Sequence, residues 1–193
     1  MRRLLPLLLC LVLQACAIPQ PLPAATDLRP GASEVVVIGK IELVPPLDPR
    51  ESRSHWNAIG EKKFLGHVMI ATGAEYVPVT TSKVVGAEFN SSIDAEWSVP
   101  FMVKAPRQRT YLNGGMAHLD VVAQDRLWFP GGLYFDVPRD ATAIYIGTLR
   151  FHRNDFNAIT RVEIVDERKD IATVLKAGAS AADVRPSLLK RLW

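Results

Sequence analysis

The chain has 193 residues, with 23 lysines and arginines against 20 acidic residues, so its formal net charge at pH 7 is only +3. A protein that follows the phosphate backbone needs a clear excess of cationic side chains, so this balance disfavours nucleic acid as a partner. Both cysteines, Cys10 and Cys16, lie near the amino terminus, which excludes a disulfide framework or a cysteine-ligated metal site in the rest of the chain.

The first fifteen residues have the pattern of a secretory signal peptide. Two arginines precede an apolar stretch from Leu4 to Leu13, and small residues stand before Cys16. The apolar stretch is about ten residues long, whereas a transmembrane helix needs roughly 20. We therefore expect residues 1–15 to be cleaved from the mature protein rather than to cross the membrane.

Residues 13–16, with the sequence Leu-Gln-Ala-Cys, resemble the lipobox of bacterial lipoproteins. The resemblance implies that Cys16 is acylated and becomes the mature N-terminus, and two or more acyl chains hold a protein stably on a bilayer. Ala17, rather than Asp, follows this cysteine, which in Gram-negative lipoproteins implies delivery to the outer membrane with the domain facing the periplasm. An ordinary secretory signal with a cysteine near its cleavage site is the alternative.

Prolines punctuate the segment after the cysteine, at positions 19, 21, 23 and 30. Proline excludes regular helix and central strand, so we expect residues 16–33 to form a lipidated, proline-rich tether. Residues 34–193 have the length of one ordinary domain and carry enough apolar residues to bury a core.

Apolar residues alternate with polar ones over residues 35–43, 97–103 and 133–137, and this period of two predicts half-buried strands. Glycine and proline clusters separate these strands. The pattern predicts a mainly β fold, an antiparallel β-sandwich, with a small β-barrel as the alternative.

Residues 142–151 are apolar on both faces, which is typical of a central or covered strand. Asn154, Asp155 and Asn157 favour a turn, and Val162 and Ile164 alternate with charged residues beyond it. We predict a hairpin over residues 141–165.

The carboxyl terminus is expected to hold one or two short helices. Asp166 is a suitable N-cap and Gly178 can close the first of them. A second segment begins at Pro186 and presents Trp193 and three leucines on one side. It is either a latch packed on the sheet or a piece that touches lipid headgroups or a partner.

Val137-Pro138, followed by residues 144–149, resembles a segment of small envelope lipoproteins with a prealbumin-like or related β-sandwich. In that group a Val-Pro loop precedes a strand that reads Tyr-Ile-Gly. The resemblance implies the fold and carries no activity.

The sequence offers no motif for a cofactor or a catalytic metal, because its four histidines are scattered over different segments. His118 and Asp120 stand two apart in a predicted strand, so both project from one face, where a carboxylate can orient an imidazole. They would form the centre of an envelope hydrolase acting on glycan or ester bonds. The competing interpretation is a solvated strand face.

Aromatic residues give the main indication of binding. Trp56 lies in a polar segment and Trp128 precedes a Pro-Gly-Gly turn, where an exposed ring can stack on a sugar or anchor a protein contact, unless a loop buries it. Arginines 107, 109, 126, 139 and 153 would favour anionic glycans or headgroups if they converge. We predict a membrane-anchored binding or scaffolding module for an envelope protein. A hydrolase centred on His118 and Asp120, and a carrier with a cavity for a small apolar ligand, are the alternatives.

Overall fold

The computed structural model describes residues 20–51, 65–78, 91–120, 125–175 and 180–193. Within them, two β-sheets pack face to face, which confirms the predicted β-sandwich, and the sheets remain separate rather than closing into one barrel. No helix among these residues is long and apolar enough to span a membrane.

Strands are numbered in chain order. The first sheet has the spatial order β1 (Gln20–Pro21), β4 (Ser91–Glu96), β3 (His67–Gly73), β6 (Thr110–Asp120), β8 (Leu133–Phe135) and β12 (Lys190–Arg191), and β7 (Asp125–Phe129) pairs with the second half of β6. The second sheet has the order β10 (Ile159–Val165), β9 (Ala143–Arg153), β2 (Glu34–Val44) and β5 (Phe101–Pro106), and β11 (Val184–Pro186) pairs with the first part of β9.

Both sheets are mixed rather than purely antiparallel. Strand β1 runs parallel to β4, and β9 runs parallel to both β2 and β11. The central β2–β9 pair joins strands that are far apart in the sequence, because the chain builds most of the first sheet between them. Local alternation indicates a strand but carries no information on the direction of such a distant neighbour.

The core fills the space between the two sheets. Ile70 and Ile93 of the first sheet and Phe151 of the second are each almost fully buried there. Phe151 also packs on Phe129, with ring centroids 4.6 Å apart. Burying one such side chain contributes about 1.5–3 kcal/mol, so this apolar layer is the main source of stability.

The predicted hairpin is confirmed by the antiparallel pairing of β9 with β10. Asn154 Oδ1 accepts hydrogen bonds from the backbone N–H groups of Phe156 and Ala158, both at 3.0 Å, and Asn157 has a positive φ of 61°. Both faces of β9 are covered. Leu149 faces the core, whereas Tyr145 packs on the outer side against Ile171 in the short helix α1 (Ile171–Val174).

The strand predicted over residues 97–103 is wrong in its first half. Trp97 and Ser98 form the turn between β4 and β5, where Ser98 has a φ of 60°. The apolar alternation continues across this turn because Trp97 packs on the end of the core, 5.5 Å from the ring of Phe129.

The carboxyl terminus differs in detail from the two predicted helices. A 3₁₀ turn (Arg168–Asp170) leads into α1, and Asp166 pairs with Arg168 at 2.7 Å instead of capping the helix. Gly178, the predicted end, lies outside the described residues. The segment after Pro186 is a latch on the sheet rather than a helix, since β12 pairs with β8.

Each terminal segment bridges the two sheets at one open side of the sandwich. The N-terminal segment pairs with β4 through β1 and then accepts a hydrogen bond at Pro23 O from the N–H of Lys104 on β5, at 2.8 Å. The described part of the predicted tether, residues 20–33, is thus packed against the domain. At the opposite side, the chain passes from β11 on β9 to β12 on β8, and the N–H of Leu189 donates to Ile146 O at 2.9 Å.

Candidate functional site

The outer face of the first sheet carries large, half-buried side chains that we call the aromatic face. Its members are Met69, Tyr111, Met116, Trp128 and Tyr134. Strand pairing arranges them in two rows, because Met116 lies opposite both Met69 and Trp128, while Tyr134 lies opposite Tyr111. Their neighbours along each strand are core residues, so these side chains point away from the core.

The row nearer the start of β6, which we call the tyrosine row, combines aromatic rings with cations. The rings of Tyr111 and Tyr134 are 5.9 Å apart, and the Arg109 guanidinium lies 4.6 Å from the centre of the Tyr134 ring. The ammonium group of Lys190, from β12, lies 5.9 Å from the same centre. Such cation–π contacts fix the charged groups against the ring faces.

One carboxylate orients both cations of the tyrosine row. Asp136 Oδ2 accepts a hydrogen bond from Lys190 Nζ at 2.8 Å, and Oδ1 accepts one from Arg109 Nε at 2.8 Å. The hydrogen bonds from Lys190 and Arg109 hold the pKa of Asp136 below its ordinary value. The row therefore carries two positive charges and one negative charge at neutral pH.

Trp128 stands at the β7 end of the other row, next to Met116. It packs with Met69, Ala71 and Val77, and the Arg126 guanidinium lies 5.9 Å from its ring centre. The loop that contains Val77 is fixed by Asn113, whose Oδ1 accepts from the N–H of Val77 at 3.0 Å. Trp128 is thus half-buried on the sheet itself, rather than presented by a loop as the sequence suggested.

The two predicted hydrolase residues lie near the far end of β6. His118 is paired across the strands with Arg126, and burial together with the charge of Arg126 lowers the pKa of the imidazole. Asp120 is buried, and a β-bulge separates it from His118. The bulge interrupts the strict alternation that placed both side chains on one face.

The edge of the aromatic face holds a charged group that the sequence pattern did not reveal. His67 Nδ1 lies 2.9 Å from Asp94 Oδ1, and the other ring nitrogen lies 3.7 Å from Glu96 Oε1. The tyrosine row was missed as well. Tyr134 between Leu133 and Phe135 is a local sign of an outward ring, but its contact with Tyr111 depends on strand pairing.

Cys16 and Trp56 lie outside the described residues. The five arginines do not converge, because Arg107 donates to the backbone oxygens of Ala141 and Glu34, at 2.7 and 2.9 Å, and Arg153 pairs with Glu51 at the other end of the sandwich.

The outer face of the second sheet is closed by two different means. Ile171 and Val184 cover the half that contains Tyr145. A network of ion pairs lies over the other half and consists of Lys40, Glu42, Arg150, Glu167 and Asp170. This network fastens the segment before α1 to β2 and β9, which indicates a structural role.

The described residues include no group of three or more His, Cys, Asp and Glu side chains that could hold a metal ion. The described residues also line two open clefts, and the second of them reaches His67, Asp94 and Glu96 at the edge of the aromatic face. One, of about 330 Å³, is lined by Leu43, Leu47, Leu65 and Trp97, and the other, of about 560 Å³, lies where β1 and β4 meet β5. Both are surface grooves rather than enclosed apolar cavities of the kind that small-ligand carriers use.

Comparison with known proteins adds no relative: no family model matches the chain, and neither a curated protein nor a solved structure matches it.

Proposed function

We propose that this protein is a membrane-anchored envelope lipoprotein that binds a protein partner through the aromatic face. The observation that carries the proposal is the position of Trp128, half-buried on the outer face of β7, opposite Met116 and beside Arg126, in a row that continues to Met69 on β3. Tryptophan, methionine and arginine are enriched in the cores of protein interfaces, and tryptophan and arginine are enriched among residues that dominate binding energy.

The geometry of this patch also suits a protein partner. The strands of a sheet hold Met69, Met116 and Trp128 in fixed register, so the patch requires little ordering when a partner binds. Methionine side chains adapt to the shape of the opposing surface. His67 with Asp94, and the cations of the tyrosine row, supply a polar border around this apolar centre.

The anchor is the second part of the proposal and rests on the lipobox resemblance at residues 13–16. Acylation of Cys16 would hold the domain at the outer membrane, facing the periplasm, and confine its partner to the same surface. The protein would then act by bringing an envelope protein to the membrane, with no chemical step of its own.

Photo-crosslinking in intact cells tests the proposal. A photoreactive amino acid replaces Met116 on the aromatic face or, as control, Arg161, which is exposed on the second sheet. We expect one envelope protein to be captured from position 116 and not from position 161. Trp128→Ala should lower that capture about 30-fold, the effect of losing roughly 2 kcal/mol of binding energy. Phe156→Ala, in the exposed turn between β9 and β10, should leave it unchanged.

Three results would contradict the proposal. Equal capture from positions 116 and 161 would show that the aromatic face is not the binding surface. An N-terminal peptide with unmodified Cys16 would show that the protein is not anchored through this residue. Loss of cellular function in His118→Ala, with full function in Trp128→Ala, would favour the envelope hydrolase that acts through His118 and Asp120. Circular dichroism on each variant establishes that it is folded.

A further inference from the structure

We infer that the sandwich is oriented with the tyrosine row toward the bilayer, so that Arg109, Tyr111, Tyr134 and Lys190 contact phospholipid headgroups. The inference rests on the proposed anchoring at Cys16 and adds an orientation to it. Three independent features carry it: the direction in which the chain enters the fold, the short reach of the anchor, and the chemistry of the side chains at the end of the sheet where the chain enters.

The chain enters the first sheet at the end that holds the tyrosine row. Gln20 of β1 pairs with Ser91 of β4, which pairs in turn with Thr72 of β3. The same line of paired residues continues through Leu112 of β6 and Leu133 of β8 to Arg191 of β12, so it crosses the whole sheet. Tyr111, Tyr134 and Lys190 directly adjoin this line. Because β1 runs parallel to β4, it points from this end of the sheet toward the opposite end.

The anchor can reach only a short distance from this entry point. Cys16 stands four residues before Gln20, and four fully extended residues span at most about 14 Å. Acyl chains fix the cysteine sulfur at the level of the headgroups. By contrast, β9 has 11 residues, which correspond to about 35 Å at the usual rise per residue. The anchor is therefore too short to let the opposite end of the sandwich approach the bilayer while the entry end points away from it.

The chemistry of the tyrosine row matches a headgroup layer. Tyrosine rings favour the membrane interface, where the ring is apolar and the hydroxyl group remains hydrated. Arg109 and Lys190 project their charges over the Tyr134 ring, and with Asp136 they leave one net positive charge. Cations at this level are attracted to anionic phospholipids. The row thus combines the two residue classes that hold peripheral proteins on membranes.

In this orientation, Met69, Met116 and Trp128 remain accessible to a partner that approaches from the side. Met116 lies beyond Tyr111 on β6, and their partners on β3, Met69 and Gly73, are four residues apart, which is about 13 Å along a strand. Trp128, opposite Met116, would then stand above the headgroups on a sheet face that is roughly perpendicular to the bilayer. A partner anchored in or on the same membrane could meet it laterally.

The test uses the mature lipoprotein, which has no cysteine other than Cys16, so that one introduced cysteine gives a unique label. Asp140→Cys and Asp155→Cys form a matched pair, since both aspartates are exposed in turns at the two opposite ends of β9. Each labelled protein is reconstituted in vesicles of phosphatidylethanolamine and phosphatidylglycerol that contain a headgroup nitroxide lipid. We expect the nitroxide to quench a fluorophore at position 140 several-fold more than one at position 155.

A third variant tests the contact itself. Replacing both Arg109 and Lys190 with glutamine in the Asp140→Cys protein should reduce quenching at position 140, because the attraction to phosphatidylglycerol is lost. Equal quenching at positions 140 and 155, or stronger quenching at 155, would overturn the orientation while leaving the anchor intact. Mass spectrometry of the same samples separates the two failures, since an unmodified Cys16 would overturn the anchoring and the orientation together.

Discussion

Replacement of Lys40 by methionine is the sharpest test of how the second sheet is stabilised. The Lys40 ammonium lies 2.8 Å from Glu42, 2.8 Å from Glu167 and 2.6 Å from Asp170, and its side chain is only 11% exposed. Methionine keeps most of the aliphatic stem and removes the charge. In Lys40→Met, three carboxylates remain close together without their shared cation.

The expected loss of stability follows from the burial of the network. Breaking a fully buried ion pair by removing one partner costs about 3–5 kcal/mol. Here Asp170 is 44% exposed and Arg150 still neutralises Glu42 and Glu167, so water and one remaining cation reduce that penalty. We expect Lys40→Met to lower the free energy of unfolding by about 2–3 kcal/mol at pH 7.

The dependence on pH identifies the interaction. Burial lowers the pKa of Lys40, but hydrogen bonds to Asp170, Glu167 and Glu42 outweigh it and raise the pKa overall. Burial raises the pKa of Glu42, but hydrogen bonds from Lys40 and Arg150 outweigh it and lower the pKa overall. The network thus stabilises the fold fully between the ordinary glutamate and lysine values, about 4.5 and 10.5. The contribution is lost as the pH falls through the lowered pKa of Glu42 or rises through the raised pKa of Lys40.

Urea unfolding, followed by tryptophan fluorescence at pH 7 and at about pH 3, measures this difference. Lys169→Met, an exposed lysine in the same 3₁₀ turn as Asp170, serves as the control and should change stability little. The reasoning fails if Lys40→Met is as stable as the Lys169→Met control at pH 7. It also fails if the loss at pH 3 equals the loss at pH 7, since the stabilisation from Glu42 declines once the pH falls below the ordinary glutamate value of about 4.5.

Three further substitutions test other parts of the fold by the same urea titration. Glu51→Gln should cost about 1–2 kcal/mol at pH 7, because it removes the charge that accepts hydrogen bonds from Arg153, whose side chain is only 6% exposed. The hydrogen bond from Arg153 lowers the pKa of Glu51 to about 2, so wild type should lose this advantage as the pH falls from about 4.5 to about 2. Gly147→Ala should cost about 1–3 kcal/mol, because residue 147 has a φ of +98°. Leu189→Ala should cost about 2–4 kcal/mol, since this side chain of the C-terminal latch is 5% exposed. A loss below 0.5 kcal/mol, roughly the value for surface positions, would contradict any of the three.

Local patterns were sufficient to predict the strands whose faces differ in burial. In the second half of β2, Ile41 and Leu43 face the core and alternate with Lys40 and Glu42, which is visible in the sequence alone. The hairpin of β9 and β10 was predictable because Asn154 and Asn157 form its turn through their own backbone and side chain. Each of these features depends on residues within a few positions of one another.

The candidate site could not be predicted in the same way. The tyrosine row joins β6, β8 and β12, so Tyr111, Tyr134 and Lys190 meet only after three separate strands have paired. Trp97 was misassigned for the opposite reason, because it contacts the same core as its neighbours while standing in a turn. Packing between distant parts of the chain determines both outcomes, and the alternation of apolar and polar residues carries no information on that packing.

The packing of the N-terminal segment changes what an anchor at Cys16 would do. A flexible tether would let the domain turn freely, whereas a segment that pairs with β4 at Gln20 and with β5 at Ala24 is part of both sheets. The distance from Cys16 to the sandwich would then be set by four residues. Because the C-terminal latch brings Lys190 to the same end of the first sheet, both termini would position the tyrosine row at the membrane surface. The fold itself, rather than a linker, would present the aromatic face to a partner.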